Sequence, residues 1–420
     1  MNKATFLCGL AALWAALPAL DAALRLRRLT APRGGARRSE AGRAPGRMLA
    51  VIPSRAEGAR VGDLASDLKR GGVDVLVLLD GADADAEARL VRDGIQYLSK
   101  KSPGPAKGHA LAFVAEQLAK DLEAYEFILV FDADMRLPEG FFRDLRIPAG
   151  TEAFQLPVRP SGVPGPGAPR VEALSLAQAA QDDLARDVEG LPVRLRGKAM
   201  GFSPRAFRAG PAVATRTTVE DSEATLRLAA AGVRVRALEG PVAFEEPAAD
   251  SGGMARSRAR WFGGQLKLFF VGFGELLKLA ARSPKGAFVL ACDLWLRPRI
   301  LLLGTLAILA GVSDVVMLIF SSNGTWSDVA RAGGAAAAAD GPLVRPVALL
   351  ASLLLLSLLG KSSLLFEWFS IGALRRRIGY PPECPPVSLT DLSDSLVMWA
   401  RAVARGVVSP SRWHRARPPR

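Results

Sequence analysis

The sequence contains few of the residues that build metal-bound or disulfide-bonded folds. It has three cysteines, Cys8, Cys292 and Cys384, and two histidines among 420 residues. The cysteines are far apart and form no CxxC pair or Cys/His cluster, so neither a structural zinc site nor a disulfide scaffold is expected. Apolar residues are abundant: 50% of the chain is hydrophobic, 23% is charged, and the mean hydropathy is +0.18. This composition excludes a disordered chain and suits one globular domain joined to membrane spans.

The net charge of +14 is concentrated in two blocks. Residues 25–47 hold eight arginines and one acid, and residues 375–420 hold nine arginines and three acids, so the rest of the chain is close to neutral. Both blocks adjoin apolar segments, and bases beside a span mark the cytoplasmic side of a membrane. The first block also lacks the interleaved aromatic residues of a nucleic-acid surface. We therefore expect the charge to set membrane topology and predict no nucleic-acid partner.

Three apolar segments reach the length of a membrane-spanning helix, which needs about 20 residues. We predict spans at 1–24, 300–320 and 343–366, the second of which contains Asp314 and the third Lys361. A cleaved signal peptide is the alternative for the first segment. The arginine block that follows it argues against export.

The positions of the bases orient these segments. They place the N-terminus and the loop 321–342 outside, and the main domain and the basic tail 367–420 in the cytoplasm. Residues 25–47, rich in Pro, Gly, Ala and Arg, are expected to form a linker, and 262–299 to form amphipathic helices at the membrane interface. The chain is thus predicted to be a multi-pass protein of the inner, or plasma, membrane.

Strand and helix patterns alternate within the predicted cytoplasmic domain, 48–261. Short apolar runs predict strands at 48–53, 73–79, 94–98 and 126–131, and helical spacing predicts helices at 57–70 and 108–122. Such alternation is typical of an α/β domain with a mainly parallel, Rossmann-like sheet, whose ligands bind beyond the carboxyl ends of the strands. Asp80 and Asp132 both fall at such ends.

Two carboxylates, Asp132 and Asp134, follow the fourth predicted strand. Their charges repel each other unless a cation lies between them. Mg²⁺ or Mn²⁺ takes one or two protein carboxylates and completes its shell with phosphate oxygens and water, which suits a bound nucleoside diphosphate. A helix cap or turn is the alternative for such a triplet. The position at a strand end favours the metal site.

A second pair of acids, Glu220 and Asp221, precedes a helical pattern at 222–232 and a strand-like run at 233–238. Capping of the helix is the alternative role for Asp221.

Six short motifs then occur in a fixed order along about half of the chain, roughly 48–265. They are Pro53-Ser54-Arg55-Ala56-Glu57, Asp80, Lys107-Gly108-His109-Ala110-Leu111, Asp132-Ala133-Asp134, Val219-Glu220-Asp221 and Arg260-Trp261. Each is common alone, but in this order and spacing the chain resembles the inverting, membrane-bound family-2 glycosyltransferases. That group contains cellulose, chitin and hyaluronan synthases and ceramide glucosyltransferases. The resemblance implies a GT-A-like fold for 48–261.

The resemblance assigns donor-binding roles to five residues. It implies that Glu57 and Asp80 hold the uridine portion of a UDP-sugar, that Lys107 approaches the diphosphate, and that Asp132 binds the donor through the metal. Arg260 would bind the departing diphosphate, because a guanidinium suits phosphate oxygens. From the residues alone, a helix-terminal acid, a turn residue and a solvated loop lysine remain the alternatives for the first three. His109 stays open between the site and the structure.

The resemblance also implies an acceptor site. Asp221 would be the general base that removes a proton from the acceptor hydroxyl, with Glu220 and Trp261 beside the acceptor. The glycine-containing loop 196–202 resembles a loop that lines this site. The family's Gln-x-x-Arg-Trp pattern has Ser257 in place of glutamine. Because that glutamine is typical of polymer-forming members, the serine favours single transfer. A basic interfacial segment is the alternative for this region.

The expected function is metal-dependent, inverting transfer of a sugar from a UDP-sugar to a hydroxyl of a lipid or lipid-linked acceptor. Three spans suit this activity better than extrusion of a polymer. A processive synthase of an extracellular polysaccharide is the alternative, and a non-catalytic, membrane-anchored nucleotide-sugar-binding protein is a second. The sequence names neither the sugar nor the oligomeric state.

Overall fold

The computed structural model describes residues 16, 19–28, 42–246, 251–295, 305, 308–317, 354–355, 357–359, 361 and 385–408. The chain forms two compact units. One comprises Met1–Ala31 and Leu296–Arg375, and the other comprises Pro32–Trp295 and Arg376–Arg420. The second unit contains the α/β domain, here called the main unit.

A seven-stranded sheet forms the centre of the main unit. Its strands are β1 (Met48–Ser54), β2 (Asp74–Asp80), β3 (Gln96–Lys100), β4 (Phe127–Val130), β6 (Ala153–Gln155), β8 (Met200–Phe202) and β9 (Val235–Ala237). They lie in the order β3-β2-β1-β4-β8-β6-β9. The first four are mutually parallel, β8 is antiparallel to β4 and β6, and β9 is parallel to β6. The prediction of an α/β domain with a mainly parallel sheet is confirmed.

The central strands are apolar throughout because helices and loops cover both faces of the sheet. Every residue of β1 is buried. Along this strand Ala50 and Ile52 belong to one hydrophobic cluster, whereas Leu49 and Val51 belong to the other. This alternation follows from the two-residue period of a strand, and it explains why the sequence shows continuous apolar runs.

A smaller sheet, which the sequence pattern did not reveal, lies in the same unit. It consists of β5 (Met135–Arg136), β7 (Val158–Pro160) and β10 (Ala243–Glu245). The strand β10 is central, antiparallel to β5 and parallel to β7. Since β5 directly follows the Asp132–Asp134 turn, this sheet holds that turn against the end of β10.

The described residues of the main unit form eleven α-helices. They are α1 (Val61–Arg70), α2 (Ala84–Arg92), α3 (Lys107–Gln117), α4 (Phe141–Asp144), α5 (Ala168–Val188), α6 (Pro204–Ala209), α7 (Glu220–Ala230), α8 (Ser251–Val271), α9 (Phe273–Arg282), α10 (Pro284–Trp295) and α11 (Leu389–Val408). The predicted strands at 48–53, 73–79 and 126–131 are confirmed within one residue at each end. The third strand begins two residues later than predicted. The predicted helix 108–122 ends early, and a separate 3₁₀ turn follows at Asp121–Ala124.

The C-terminal part of the chain contains α11, for which the predicted basic tail suggested no structure. This helix packs mainly on α8 and also on α5. Its buried residues Asp391, Ser395, Met398, Trp399 and Ala402 recur at helical spacing, so one face of α11 belongs to the core of the main unit.

The segment predicted to be interfacial, 262–299, is helical where the structure describes it, except for breaks at Gly272 between α8 and α9 and at Ser283 between α9 and α10. A Cβ at this glycine would lie 2.6 Å from the Cδ2 atom of Leu226. The break at Gly272 therefore marks a close approach of the chain to α7.

The three predicted spans lie largely outside the described residues, and the predicted loop 321–342 lies wholly outside them. Residues 19–28 and 308–317 are helical. Asp314 accepts hydrogen bonds from Ser357 Oγ (2.7 Å) and Lys361 Nζ (3.1 Å), so the acid of the second predicted span pairs with the base of the third. Among the residues that are described, no helix combines the length and the apolar character needed to cross a membrane.

Candidate active site

Asp80 is fully enclosed where β2 ends. Its side chain is 0% exposed, and it forms an ion pair with Arg55, which follows β1. Its Oδ1 atom accepts hydrogen bonds from the backbone N–H of Gly104 (3.0 Å) and from Lys100 Nζ (3.3 Å). Parallel strands end at one edge of the sheet, which is why residues distant in sequence meet there. This edge, with Asp80, Asp132 and Asp134, is called the strand edge below.

Lys107 connects the strand edge to the middle of the site. It is buried, and its Nζ atom donates to Asp132 Oδ1 and to the carbonyl oxygen of Gly197, both at 2.5 Å. Burial by itself would lower the pKa of this lysine. The opposing charges of Asp132, Glu220 and Asp221 are stronger, and they raise the pKa of Lys107 above its ordinary value. The ammonium group of Lys107 therefore lies beside Asp132.

Gly108 explains how α3 comes this close to the rest of the site. A Cβ atom at this position would lie 1.9 Å from the carbonyl oxygen of Ala214 and 3.1 Å from the Cβ of Glu220. Only glycine leaves room for the start of α3 to contact both segments.

The carboxylates predicted to bind metal, Asp132 and Asp134, lie in the turn between β4 and β5. The side chain of Asp132 is 38% exposed, and one of its oxygens contacts Lys107. Within the described part of the chain, no three His, Cys, Asp or Glu side chains are arranged to hold a metal ion. The pair therefore fits Mg²⁺ or Mn²⁺ only as one or two ligands of a shell that phosphate oxygens and water complete.

Glu220 and Asp221 occupy the first turn of α7, after the N-cap residue Val219. Both are buried, and Asp221 Oδ1 accepts the backbone N–H of Ser222 at 2.7 Å. Burial, reinforced by the charge of Asp221, raises the pKa of Glu220 to about 7 against the opposing effect of Lys107. The carboxyl group of Glu220 is thus close to half protonated at neutral pH.

The loop 196–199 brings the two sets of acids together. A Cβ at Gly197 would lie 3.7 Å from both Asp221 Oδ2 and Glu220 Oε1, and the carbonyl of the same glycine accepts from Lys107. Gly197 has a φ of +80°, a conformation that favours glycine. The loop therefore stands between the strand edge and the start of α7 and touches both.

Arg260 and Trp261 lie on α8 beside the start of α7. Arg260 Nη1 donates to the carbonyl of Thr218 (3.3 Å), and Thr218 Oγ1 donates to the carbonyl of Arg260 (3.1 Å). The guanidinium of Arg194 lies 5.1 Å from the ring centroid of Trp261, and Arg194 Nη2 donates to Ser222 Oγ at 2.9 Å. The group formed by Arg194, Glu220, Asp221, Arg260 and Trp261 is called the helix cluster below.

Glu57 and His109 occupy the periphery of the strand edge. Glu57 is half-buried on the turn after β1, and both it and Asp134 act electrostatically on Arg60. His109 is half-buried in the first turn of α3, where burial and the charge of Lys100 lower its pKa. The structure thus brings all the predicted site residues to one end of the main unit.

No individual role was predicted for Arg55, Arg194 or Lys198, although Arg55 lies in the first motif and Lys198 in the loop 196–202. Lys198 is paired with Glu245 at the end of β10, and burial lowers its pKa although Asp132 and Asp134 oppose this effect. The sequence signal was the alternation of bases at Arg194, Arg196 and Lys198 before β8. Such alternation is also common on exposed strands, so only the fold shows that these side chains turn inward.

No known family model and no curated protein sequence matches the chain. Solved structures that are similar to it in fold include the following three. A mannosyltransferase from Pyrobaculum calidifontis in complex with GDP-Man and Mn²⁺ is 14% identical, with a TM-score of 0.47, over 87% of this chain and 99% of that chain. Glucosyl-3-phosphoglycerate synthase from Mycobacterium tuberculosis in complex with phosphoglyceric acid is 18% identical, with a TM-score of 0.33, over 60% and 86%.

A CMP:2-keto-3-deoxy-manno-octonic acid synthetase complexed with CTP is 13% identical, with a TM-score of 0.29, over 46% of this chain and 88% of that chain.

Proposed function

We propose that this protein is an inverting glycosyltransferase that transfers a sugar from a UDP-sugar to a hydroxyl group of a lipid or lipid-linked acceptor. The observation that carries the proposal is the meeting of two acid pairs around Lys107 and Gly197. Asp132 contacts Lys107, Lys107 contacts the Gly197 carbonyl, and Gly197 adjoins Glu220 and Asp221. Such a site combines a cationic place for a diphosphate with a carboxylate that can take a proton.

The strand edge supplies the donor site in this proposal. Asp80, held by Arg55, Lys100 and Gly104, fixes the loops that would enclose the nucleoside. Asp132 and Asp134 are the residues that would hold a divalent cation, which supplies neutralisation of charge on the departing diphosphate. Lys107 provides positive charge at the same place.

The helix cluster supplies the acceptor site. Asp221 takes the proton of the acceptor hydroxyl while the oxygen of that hydroxyl forms a bond to the anomeric carbon of the sugar. The bond from that carbon to the diphosphate oxygen breaks with its electron pair, so the configuration inverts and a nucleoside diphosphate leaves. Arg260, beside Thr218, is placed to stabilise the departing charge, and Trp261 offers an aromatic surface for the acceptor.

The test is the release of nucleoside diphosphate by the full-length protein in lipid vesicles. A panel of UDP-sugars, with GDP-sugars for comparison, is supplied with Mg²⁺ or Mn²⁺, diacylglycerol and short cello- and chito-oligosaccharides. We expect metal-dependent release from one donor and a loss of about 100-fold or more in both Asp132→Asn and Asp221→Asn. The matched control is Asp144→Asn, because Asp144 is an exposed acid on α4.

Three outcomes separate the proposal from its alternatives. Release from one donor with a single sugar added to the acceptor supports it, whereas long products favour the polysaccharide synthase. If no donor is turned over by the wild type with every acceptor present, the transferase proposal is wrong and the binding-protein alternative replaces it.

We also propose that the protein is embedded in the inner membrane with its catalytic domain in the cytoplasm. The charge blocks and apolar segments of the sequence support this. So do apolar side chains that lie more than half exposed on helical segments of the first unit, Ile308, Val312, Val315, Leu354 and Leu358. An alkaline carbonate wash of membranes carrying the full chain should leave it in the pellet, and its release into the supernatant would contradict the proposal.

A further inference from the structure

The aromatic ring predicted to face the acceptor is itself held by a helix from the far end of the chain. The ring centroids of Trp261 on α8 and Trp399 on α11 are 6.1 Å apart, with the ring planes tilted by 52°. The guanidinium of Arg258 lies 5.8 Å from the first ring centroid and 5.7 Å from the second. Trp399 is 8% exposed, so its contacts are with the protein itself.

Two acids of α11 form hydrogen bonds with residues at the start of α5. Asp391 accepts the backbone N–H of Gly167 (2.6 Å) and Nη1 of Arg170 (3.0 Å). Asp394 accepts the backbone N–H of Ala168 at 2.9 Å. The first N–H groups of a helix have no partner within the helix, so carboxylates from α11 satisfy donors that would otherwise need water.

The same acids are themselves fixed in place. Ser388 and Asp391 form a reciprocal cap at the start of α11, with hydrogen bonds of 2.8 Å and 3.1 Å in the two directions. Burial alone would raise the pKa of Asp391, but hydrogen bonds from Ser388 and Gly167 lower it. Asp394 also accepts the hydroxyl of Ser251, the first residue of α8, at 2.5 Å. The start of α8 and the start of α5 thus meet on one carboxylate.

Side chains beside Trp261 form hydrogen bonds with α7, the helix that carries the proposed base Asp221. Arg194 packs on its ring and donates to Ser222, the residue after Asp221. Gln265, one turn along α8 from Trp261, donates to the same Ser222 hydroxyl at 2.9 Å. A displacement of α8 at Trp261 would therefore reach the residue next to the proposed base through two hydrogen bonds.

We infer that Trp399 is a positioning residue for the acceptor site, and that α11 sets the orientation of Trp261 while the acceptor hydroxyl is presented to Asp221. The inference depends on the proposed function for the identity of the acceptor site. The contact between the two tryptophans and the capping of α5 by α11 carry it. The acceptor affinity should depend on α11, although α11 lies more than 150 residues after the proposed base in the sequence.

The kinetic test compares acceptor and donor parameters of Trp399→Ala, using whichever acceptor of the panel the wild type glycosylates. Loss of an aromatic pair predicts a rise of about tenfold in acceptor KM with a change of less than twofold in donor KM. Trp399→Phe, which keeps an aromatic ring, should recover most of the affinity. Val397→Ala, on the exposed side of the same helix, should have no effect. Equal changes in both KM values, or none in either, would overturn the inference.

A pair of glycine variants tests the fastening of α11 separately. A Cβ at Gly167 would lie 2.3 Å from Asp394 Oδ2, whereas nothing lies within 4 Å of a Cβ at Gly162. Both glycines have a positive φ angle, +79° at Gly167 and +80° at Gly162, so alanine is strained at both positions. Gly167→Ala should raise the acceptor KM, as Trp399→Ala does, and Gly162→Ala should leave it unchanged. Equal effects of the two would assign the change to backbone strain and contradict the inference.

Hydrogen exchange separates this inference from the proposed function, because it needs no turnover. In Trp399→Ala, amides of α8 around Trp261 should exchange at least about tenfold faster, while those of β1 should not change. Unaltered exchange in α8 would refute the positioning role even in an active enzyme. If the wild type turns over no donor but Trp399→Ala still exchanges faster in α8, the positioning of Trp261 by α11 stands and only the transferase proposal is refuted.

Discussion

The strand edge and the helix cluster both contain buried acids, but the two differ in how the charge of the acid is accommodated. At the strand edge, Asp80 is completely enclosed and is neutralised by Arg55 and Lys100. In the helix cluster, Glu220 is also buried, but its pKa is raised to about 7 because burial and Asp221 outweigh Lys107. One end of the site keeps its charges by pairing them, and the other keeps an acid partly protonated.

This difference suits the two chemical tasks. A site for a nucleoside diphosphate must hold anions, which requires fixed positive charge beside the metal-binding acids. A site for a hydroxyl acceptor must take up a proton, which requires a carboxylate whose environment is not saturated with cations. Lys107 belongs to both, since it contacts Asp132 directly and acts electrostatically on Glu220 and Asp221.

The largest expected effect distinguishes the two ends by kinetics. Asp221→Asn removes the proposed proton acceptor, so kcat should fall by about 10²- to 10⁴-fold with little change in donor affinity. Asp80→Asn should instead raise donor KM by about tenfold or more, because the charge-assisted bond between Asp80 and Arg55 is lost. Steady-state kinetics with varied donor measures both. If the two variants show the same pattern, the division of the site into two ends is wrong.

Local patterns predicted the strand edge, whereas Glu220, Asp221, Arg260 and Trp261 of the helix cluster were expected only through the family resemblance, and Arg194 was not expected at all. Asp80 and Asp132 follow apolar runs whose carboxyl ends must meet in a parallel sheet, and a local pattern was sufficient. The contact of Trp399 with Trp261 joins residues that local spacing does not relate. The inward turn of Arg194 and Lys198 depends on Trp261 of α8 and on Glu245 of the smaller sheet, contacts that local spacing does not reveal.

The predicted boundaries failed where a short irregular element interrupts a pattern. The predicted helix 108–122 stops at Gln117 because a 3₁₀ turn, Asp121–Ala124, redirects the chain into β4. The apolar stretch after Trp261 is divided at Gly272 because α7 approaches too closely for a side chain. In both cases packing against another element, rather than local preference, decided the structure.

The next largest effect is on the pH dependence of stability, which tests whether Glu220, unlike Asp80, is buried with a raised pKa. Because the folded protein raises the pKa of Glu220 from 4.5 to about 7, the folded state holds this proton more tightly than the unfolded chain. Wild-type stability should therefore fall as the pH rises from about 4.5 to about 7, by on the order of 3 kcal/mol in total. Glu220→Gln abolishes this loss, so its Tm should exceed that of wild type at pH 8 and match it at pH 4.

Two controls belong to that measurement. Glu116→Gln changes an exposed glutamate and should leave the pH dependence of Tm unchanged. Asp80→Asn should lower Tm at pH 8, because it leaves Arg55 and Lys100 without the buried carboxylate that they contact. If Glu220→Gln also lowers Tm at pH 8, Glu220 is stabilised as an anion, and the contrast between the two ends disappears.

The smallest effect concerns the point where the two ends touch. Gly108→Ala places a methyl group 1.9 Å from the Ala214 carbonyl, and the backbone must shift to accept it. We expect a loss of about 2 kcal/mol in unfolding free energy from overpacking, together with weaker catalysis, because Lys107 and Glu220 are pushed apart. The matched control is Gly274→Ala in α9, where nothing lies within 4 Å of the added Cβ and alanine should stabilise the helix by about 0.5–1 kcal/mol. Since Gly108 directly follows Lys107 and faces Glu220, a loss of stability without any change in kcat/KM would show that the strand edge and the helix cluster act independently.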